Sequence, residues 1–171
     1  NTGKVSVSLS EGSMINAGGY GAAGIIAQTT GSTGATVNSV QIDIDETSSV
    51  RGGMGDTTGT GGSNAAIWVR DGSTRNVLTN AGTISSASGV IGFAVIYSGS
   101  EGLTVNNTVT ISGSFQGDIS ETAATGVATD AASDSADIRT HVINQDGGTL
   151  VLGGVSTFDR ITNSGRLTVS D

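Results

Sequence analysis

Apolar residues along this chain come in short bursts, and each burst runs into a polar, glycine-bearing turn. Gly24-Ile25-Ile26-Ala27 is followed by Thr29 to Gly34, and Ala65-Ala66-Ile67-Trp68-Val69 by Asp71-Gly72-Ser73. Gly92-Phe93-Ala94-Val95-Ile96-Tyr97 runs into Ser98 to Gly102 in the same way. Runs of that length between turn residues predict short strands. Gln41-Ile42-Asp43-Ile44-Asp45-Glu46 alternates, which sets the isoleucines inside and Asp43 and Asp45 outside. The apolar set holds 30 Val and Ile against 6 Leu. Such β-branched side chains fit a pleated surface and lose χ1 freedom in a helix, so the chain is expected to be all-β.

A second pattern recurs between the bursts: an apolar or β-branched residue, any residue, Asn, any residue, Gly or Val, any residue, then an apolar residue. It reads Leu78-Thr79-Asn80-Ala81-Gly82-Thr83-Ile84 and Ile161-Thr162-Asn163-Ser164-Gly165-Arg166-Leu167 in its cleanest copies. The repeated asparagines are Asn16, Asn38, Asn80, Asn107, Asn144 and Asn163, with gaps of 22, 42, 27, 37 and 19. The short gaps read as one coil each. The long ones carry loop insertions near 48–62, where Arg51-Gly52-Gly53-Met54-Gly55 reads as loop, and near 118–137. A hairpin protein would also give short strands and turns, but not the same turn with the same Asn at one coil's spacing. The predicted fold is a right-handed parallel β-helix, a single solenoid segment over residues 1–171, with about seven or eight coils of about 22 residues. Its end strands are open edges, so end-to-end association is expected.

The motif's first residue, Asn, Gly or Val, and last residue share one parity. Either the Asn points inward and pairs in a ladder of stacked amides, or a bend at the Asn resets the alternation. The reading preferred here is a bend with a partial ladder.

The Asn-x-Gly-x-Ile units, as in Asn80-Ala81-Gly82-Thr83-Ile84 and Asn163-Ser164-Gly165-Arg166-Leu167, resemble those of bacterial autotransporter passenger domains. Filamentous-haemagglutinin-like exoproteins carry similar repeats on a similar right-handed β-helix. The resemblance spans roughly residues 14 to 171. It implies an extracellular stalk displayed on a bacterial surface, tethered through a C-terminal outer-membrane barrel that this chain lacks. The absence of Cys suits that route, since a disulfide formed on the way would obstruct passage through a barrel. With no signal peptide, barrel strands or conspicuous cap in view, the chain is read as a segment of a longer protein.

Composition narrows the chemistry. Gly, Ser, Thr and Asn make up 84 of 171 residues, which on a coil period becomes turn chemistry and an outward polar face rather than disorder. A net charge of −8 argues against a nucleic-acid partner, and no apolar run reaches the ~18 residues of a membrane-spanning helix. No Cys means no disulfide framework or zinc-thiolate site. Gly19-Tyr20-Gly21-Ala22-Ala23-Gly24 is a literal G-x-G-x-x-G, but no helix can follow it, so it reads as a turn. His141 is the single imidazole and is expected outward or at an edge; Gly55-Asp56-Thr57-Thr58-Gly59 lacks the serine of a protease loop. Trp68 is expected in the core.

No catalytic, cofactor-binding or metal-binding residue is expected, and no cofactor. The expected function is that of a surface adhesin or stalk segment, acting in adhesion or cell–cell self-association through many weak polar contacts. Its partners would be copies of itself or a host-surface glycan or protein, with no membrane insertion of this segment. Candidate contact residues are Asp43, Asp45, Arg51, Asp56, Asp130 and Asp134, placed on or beside the expected loops. A carbohydrate-active β-helix enzyme using clustered carboxylates, or a passive spacer, are the alternative readings.

Overall fold

The computed structural model describes residues 3–29, 39–55, 64–71, 76–99, 102–117 and 140–170. The first coil is β1 (Val5–Leu9), β2 (Met14–Asn16) and β3 (Ile25–Thr29); the second is β4 (Val40–Ile44), β5 (Ser49–Gly52) and β6 (Ile67–Asp71). The third comprises β7 (Asn76–Asn80), β8 (Thr83–Ser86) and β9 (Phe93–Ser98), the fourth β10 (Leu103–Asn107), β11 (Thr110–Ser112) and β12 (Ser114–Gln116). Next come β13 (Thr140–Asn144) with β14 (Thr149–Gly153), then β15 (Arg160–Asn163) with β16 (Arg166–Ser170).

Successive strands go to different sheets, and each strand pairs in parallel with its counterpart one coil away. The first sheet runs β1-β4-β7-β10-β13-β15, the second β2-β5-β8-β11-β14-β16 and the third β3-β6-β9-β12. This is a parallel β-helix. In the fifth coil the third side shrinks to a bridge between Gln116 and Thr157.

Register places like on like, which gives the core its continuity. On the first sheet Val7, Ile42, Leu78, Val105, Val142 and Ile161 stack in one inward row. The second sheet stacks Ile15, Val50, Ile84, Ile111, Leu150 and Leu167, and the third stacks Ile25, Ile67, Val95 and Phe115. Each added coil therefore covers the apolar row of the coil below it, and most of these side chains are buried. Alternation is strict: Leu78, Asn80, Gly82 and Ile84 are all buried, while Val77, Thr79, Ala81 and Thr83 between them are not.

Two sequence expectations change. Equivalent corner positions are Leu9, Ile44, Asn80, Asn107, Asn144 and Asn163, so coils advance by 35, 36, 27, 37 and 19 residues. The coil count is about five to six, not seven or eight. The stretch from Ser48 onward is also not all loop, because Ser49–Gly52 is the strand β5. Val50 fills the core row there, and a Cβ on Gly52 would lie 2.4 Å from the backbone nitrogen of Ala66. Close backbone approach, rather than loop flexibility, accounts for that glycine. Asn38, Asp56, Asp130, Asp134 and the 118–137 insertion lie outside the described residues.

Candidate functional site

The most organised polar feature is the corner between the first and second sheets. Asn80, Asn107 and Asn144 end their strands with side chains turned inward and fully buried. The Asn80 Nδ2 donates to Asn107 Oδ1 at 2.8 Å, Asn107 Nδ2 to Asn144 Oδ1 at 2.7 Å, and Asn144 Nδ2 to Asn163 Oδ1 at 2.7 Å. Each buried amide also donates to the backbone of the coil above, at the carbonyl oxygens of Thr110, Thr149 and Arg166 respectively. A buried amide left unpaired is costly, and stacking supplies the partners.

The alternatives left open by parity are both partly right. The Asn points inward, and the turn follows it: Gly82 N donates to Asn80 Oδ1 at 3.2 Å, closing a local loop of the Asx kind. None of these asparagines has positive φ, since among the described non-glycine residues Glu11 alone does. The glycine of the motif answers to crowding. A Cβ on Gly82 would sit 2.2 Å from the Ser48 carbonyl oxygen, and one on Gly165 2.3 Å from that of Gly148. Asn16 is not part of the ladder. It lies exposed on β2, in the second sheet, opposite Arg51.

At the same corner the first two coils carry Leu9 and Ile44. Their four-residue turns, as long as the one after Asn144, are tied from outside. The Asp45 Oδ2 accepts Glu11 N at 2.8 Å, its Oδ1 accepts Thr47 N at 3.1 Å, and Thr47 Oγ1 accepts Gly12 N at 2.9 Å. The Ser48 hydroxyl beside it does most to hold the Asp45 carboxyl below its ordinary value, by proximity rather than through a hydrogen bond of normal geometry. Partial desolvation opposes this, and the Glu11 and Thr47 amides with the Thr47 hydroxyl reinforce it. Asp43 faces outward on β4 and accepts Gln41 Nε2 at 2.7 Å. Arg51 is exposed on β5, in a different sheet, so the described members of the proposed contact set are not brought to one face.

Two corner caps escaped the sequence reading. Asn76, fully buried at the start of β7, accepts Val40 N at 2.9 Å and donates to the Gly102 carbonyl oxygen at 2.9 Å. Asp159 plays the same accepting part three coils further along the stack, taking Thr140 N at 2.6 Å. In both, a coil lends a side chain to the first strand N–H of the coil below. The signal available was a polar residue just ahead of an alternating strand.

His141 sits on the outer face of β13, inside the sheet rather than at its edge. Its Nε2 lies 3.0 Å from Thr162 Oγ1. Burial first, and the Arg160 charge second, hold its pKa below the ordinary 6.5. Trp68 departs from expectation: it lies on the outer face of the third sheet, half-buried against the small cluster of Ala65, Phe93 and Ile96. Its indole N–H donates to Ser98 Oγ at 2.9 Å, and the Arg70 guanidinium stacks 4.6 Å from the ring centre. The G-x-G-x-x-G segment is irregular backbone packed under the second coil, where Gly21 N donates to Met54 O and Gly53 N to Ala22 O.

Among the described residues no three His, Asp or Glu side chains group as metal ligands would. What fold and corner together define is the class of parallel β-helices with an internal asparagine ladder. No protein-family model matches the chain, and comparison with curated proteins and with solved structures returns no similar chain.

Proposed function

We propose that this chain is a surface-exposed adhesin or stalk segment of an autotransporter-like protein, engaging other cells, copies of itself or a surface glycan through many weak polar contacts. The observation that carries this reading is the outer face of the second sheet. Ser49, Thr83, Thr110 and Thr149 stack in one outward row, and Arg51, Ser85 and Ser112 run beside them in another. Strand spacing sets such groups about 4.8 Å apart, so one row holds a Ser or Thr hydroxyl on four successive coils. Weak contacts held in a fixed array gain from multivalency. The Asn-x-Gly units of the ladder corner are also those that resemble autotransporter passengers, which supports an extracellular location and export through a barrel.

The test is display of the chain on a non-aggregating bacterium. Clumping or adhesion to cells is expected. Replacing Thr83, Thr110 and Thr149 together with Ala should weaken it several-fold, while circular dichroism shows the β-fold retained. A displayed, folded chain that neither clumps nor adheres, or one that depolymerises acidic polysaccharides, would overturn the reading.

A further inference from the structure

We propose that the contact between β13 and β15 is an acid-sensitive joint, in which protonation of His141 loosens the coil carrying β15 and β16. The argument begins with register. His141 stands directly opposite Arg160 on the next coil, and both project from the outer face of the first sheet. Its Nε2 also reaches Thr162 Oγ1, two residues further along β15, so the imidazole spans the joint. On its other side β10 presents Thr104, which carries no charge. Among the described residues the remaining charged group nearby is Asp159, whose carboxylate is turned to the Thr140 amide.

Neutral His141 is therefore a bridging polar group, whereas protonated His141 places a second cation against Arg160 across one strand spacing. The coil on the far side of the joint is also lightly covered. The inward rows of β13 are fully covered, but β15 and β16 are exposed along most of their length, and Leu167 and Val169 are exposed. Backbone pairing and the Asn144–Asn163 amide bond hold this coil with little apolar burial to assist. The lowered pKa of His141 agrees in direction with a folded state that prefers the neutral ring. Sign follows from linkage: stability of the joint is complete above the ordinary 6.5 and declines as pH falls through the folded value.

The experiment is amide hydrogen exchange, expressed as protection factors corrected for intrinsic rates, at pH 8 and at about pH 5, where carboxylates remain ionised. Protection over Ile161–Asn163 and Arg166–Ser170 should fall several-fold on acidification, while β7 and β10 hold theirs. His141→Asn, which keeps a polar group for Thr162, should remove the pH response, and Arg160→Gln should reduce it. Equal protection of β15 at the two pH values would overturn the proposal, as would the same loss persisting in the folded His141→Asn variant.

Discussion

At the corner between the first and second sheets, coils three to six close over Asn80, Asn107, Asn144 and Asn163, whereas coils one and two close over Leu9 and Ile44. The backbone faces the same demand in both regions, because turn N–H groups need partners. In the asparagine region the partner comes from inside: Asn80 Oδ1 takes Gly82 N, and the amides chain upward. In the aliphatic region it comes from outside, where Asp45 and Thr47 take Glu11 N and Gly12 N. One position thus holds either a buried amide or a buried hydrocarbon, provided the turn beside it is tied by some other side chain. The two regions differ in what they can tolerate, and substitution can expose that difference.

The largest effect is expected from moving an amide to the wrong row. Ile42 and Ile44 are both buried on β4, but only Ile44 lies under the foot of the ladder, opposite Asn80. Ile42→Asn buries a polar group among hydrocarbons and should cost about 4 kcal/mol. Ile44→Asn loses similar apolar burial yet can donate to Asn80 Oδ1, and should cost at least about 1 kcal/mol less. Urea midpoints of the two variants measure the difference. Equal costs would mean that the ladder cannot be extended into the aliphatic region.

Next comes crowding at the motif glycine. Gly82→Ala drives a methyl against the Ser48 and Asp45 carbonyl oxygens, which belong to the rigid corner beneath. A loss of about 3 kcal/mol is expected, at the upper end for overpacking. Val109, which occupies the motif's glycine position in the fourth coil, points outward and is exposed. Val109→Ala should change thermal stability by under about 0.5 kcal/mol. The ladder itself should show a gradient. Asn107→Leu leaves the buried Asn144 Oδ1 without its donor, a loss of about 2 kcal/mol, while Asn163→Leu alters an exposed end and should cost under about 1 kcal/mol. Matching losses at 107 and 163 would refute a role for burial in the ladder's strength.

Much of this architecture was legible in the chain because its repeats are chemical as well as periodic. Asn80, Asn107, Asn144 and Asn163 announce the corner, and Asn-x-Gly announces a close approach of backbones. The first two coils were misregistered for a physical reason. Leu9 and Ile44 look like any core residue, so Asn16, which lies on β2, drew the pattern away from the true corner. Coil length was misjudged because the turns between sheets vary freely on the outside while the strands stay aligned within. The caps Asn76 and Asp159 and the Thr162 partner of His141 depend on neighbours from other coils, whereas the Arg70 stack on Trp68 joins two residues of β6 and follows once the outer face of that strand is known. Spacing along the chain cannot supply register between coils.

The smallest effect separates the two regions by acidity. The tie on Gly82 runs to the neutral Asn80 amide, whereas the outer tie depends on the Asp45 carboxylate. Its folded pKa lies below the ordinary 3.8, so the unfolded chain takes the proton first as pH falls. The contribution of Asp45 is therefore complete above that value and is lost as pH drops through the folded one. Because the group is exposed, the change is small against the whole fold and is best read locally. Amide protection at Glu11 should weaken between about pH 5 and pH 2, while protection at Gly82, bonded to a neutral amide, should change far less. Asp45→Asn should lower protection at Glu11 at neutral pH and flatten its acid response. A parallel loss at Glu11 and Gly82 would show instead that both corners open together, and that inside and outside ties are not energetically distinct.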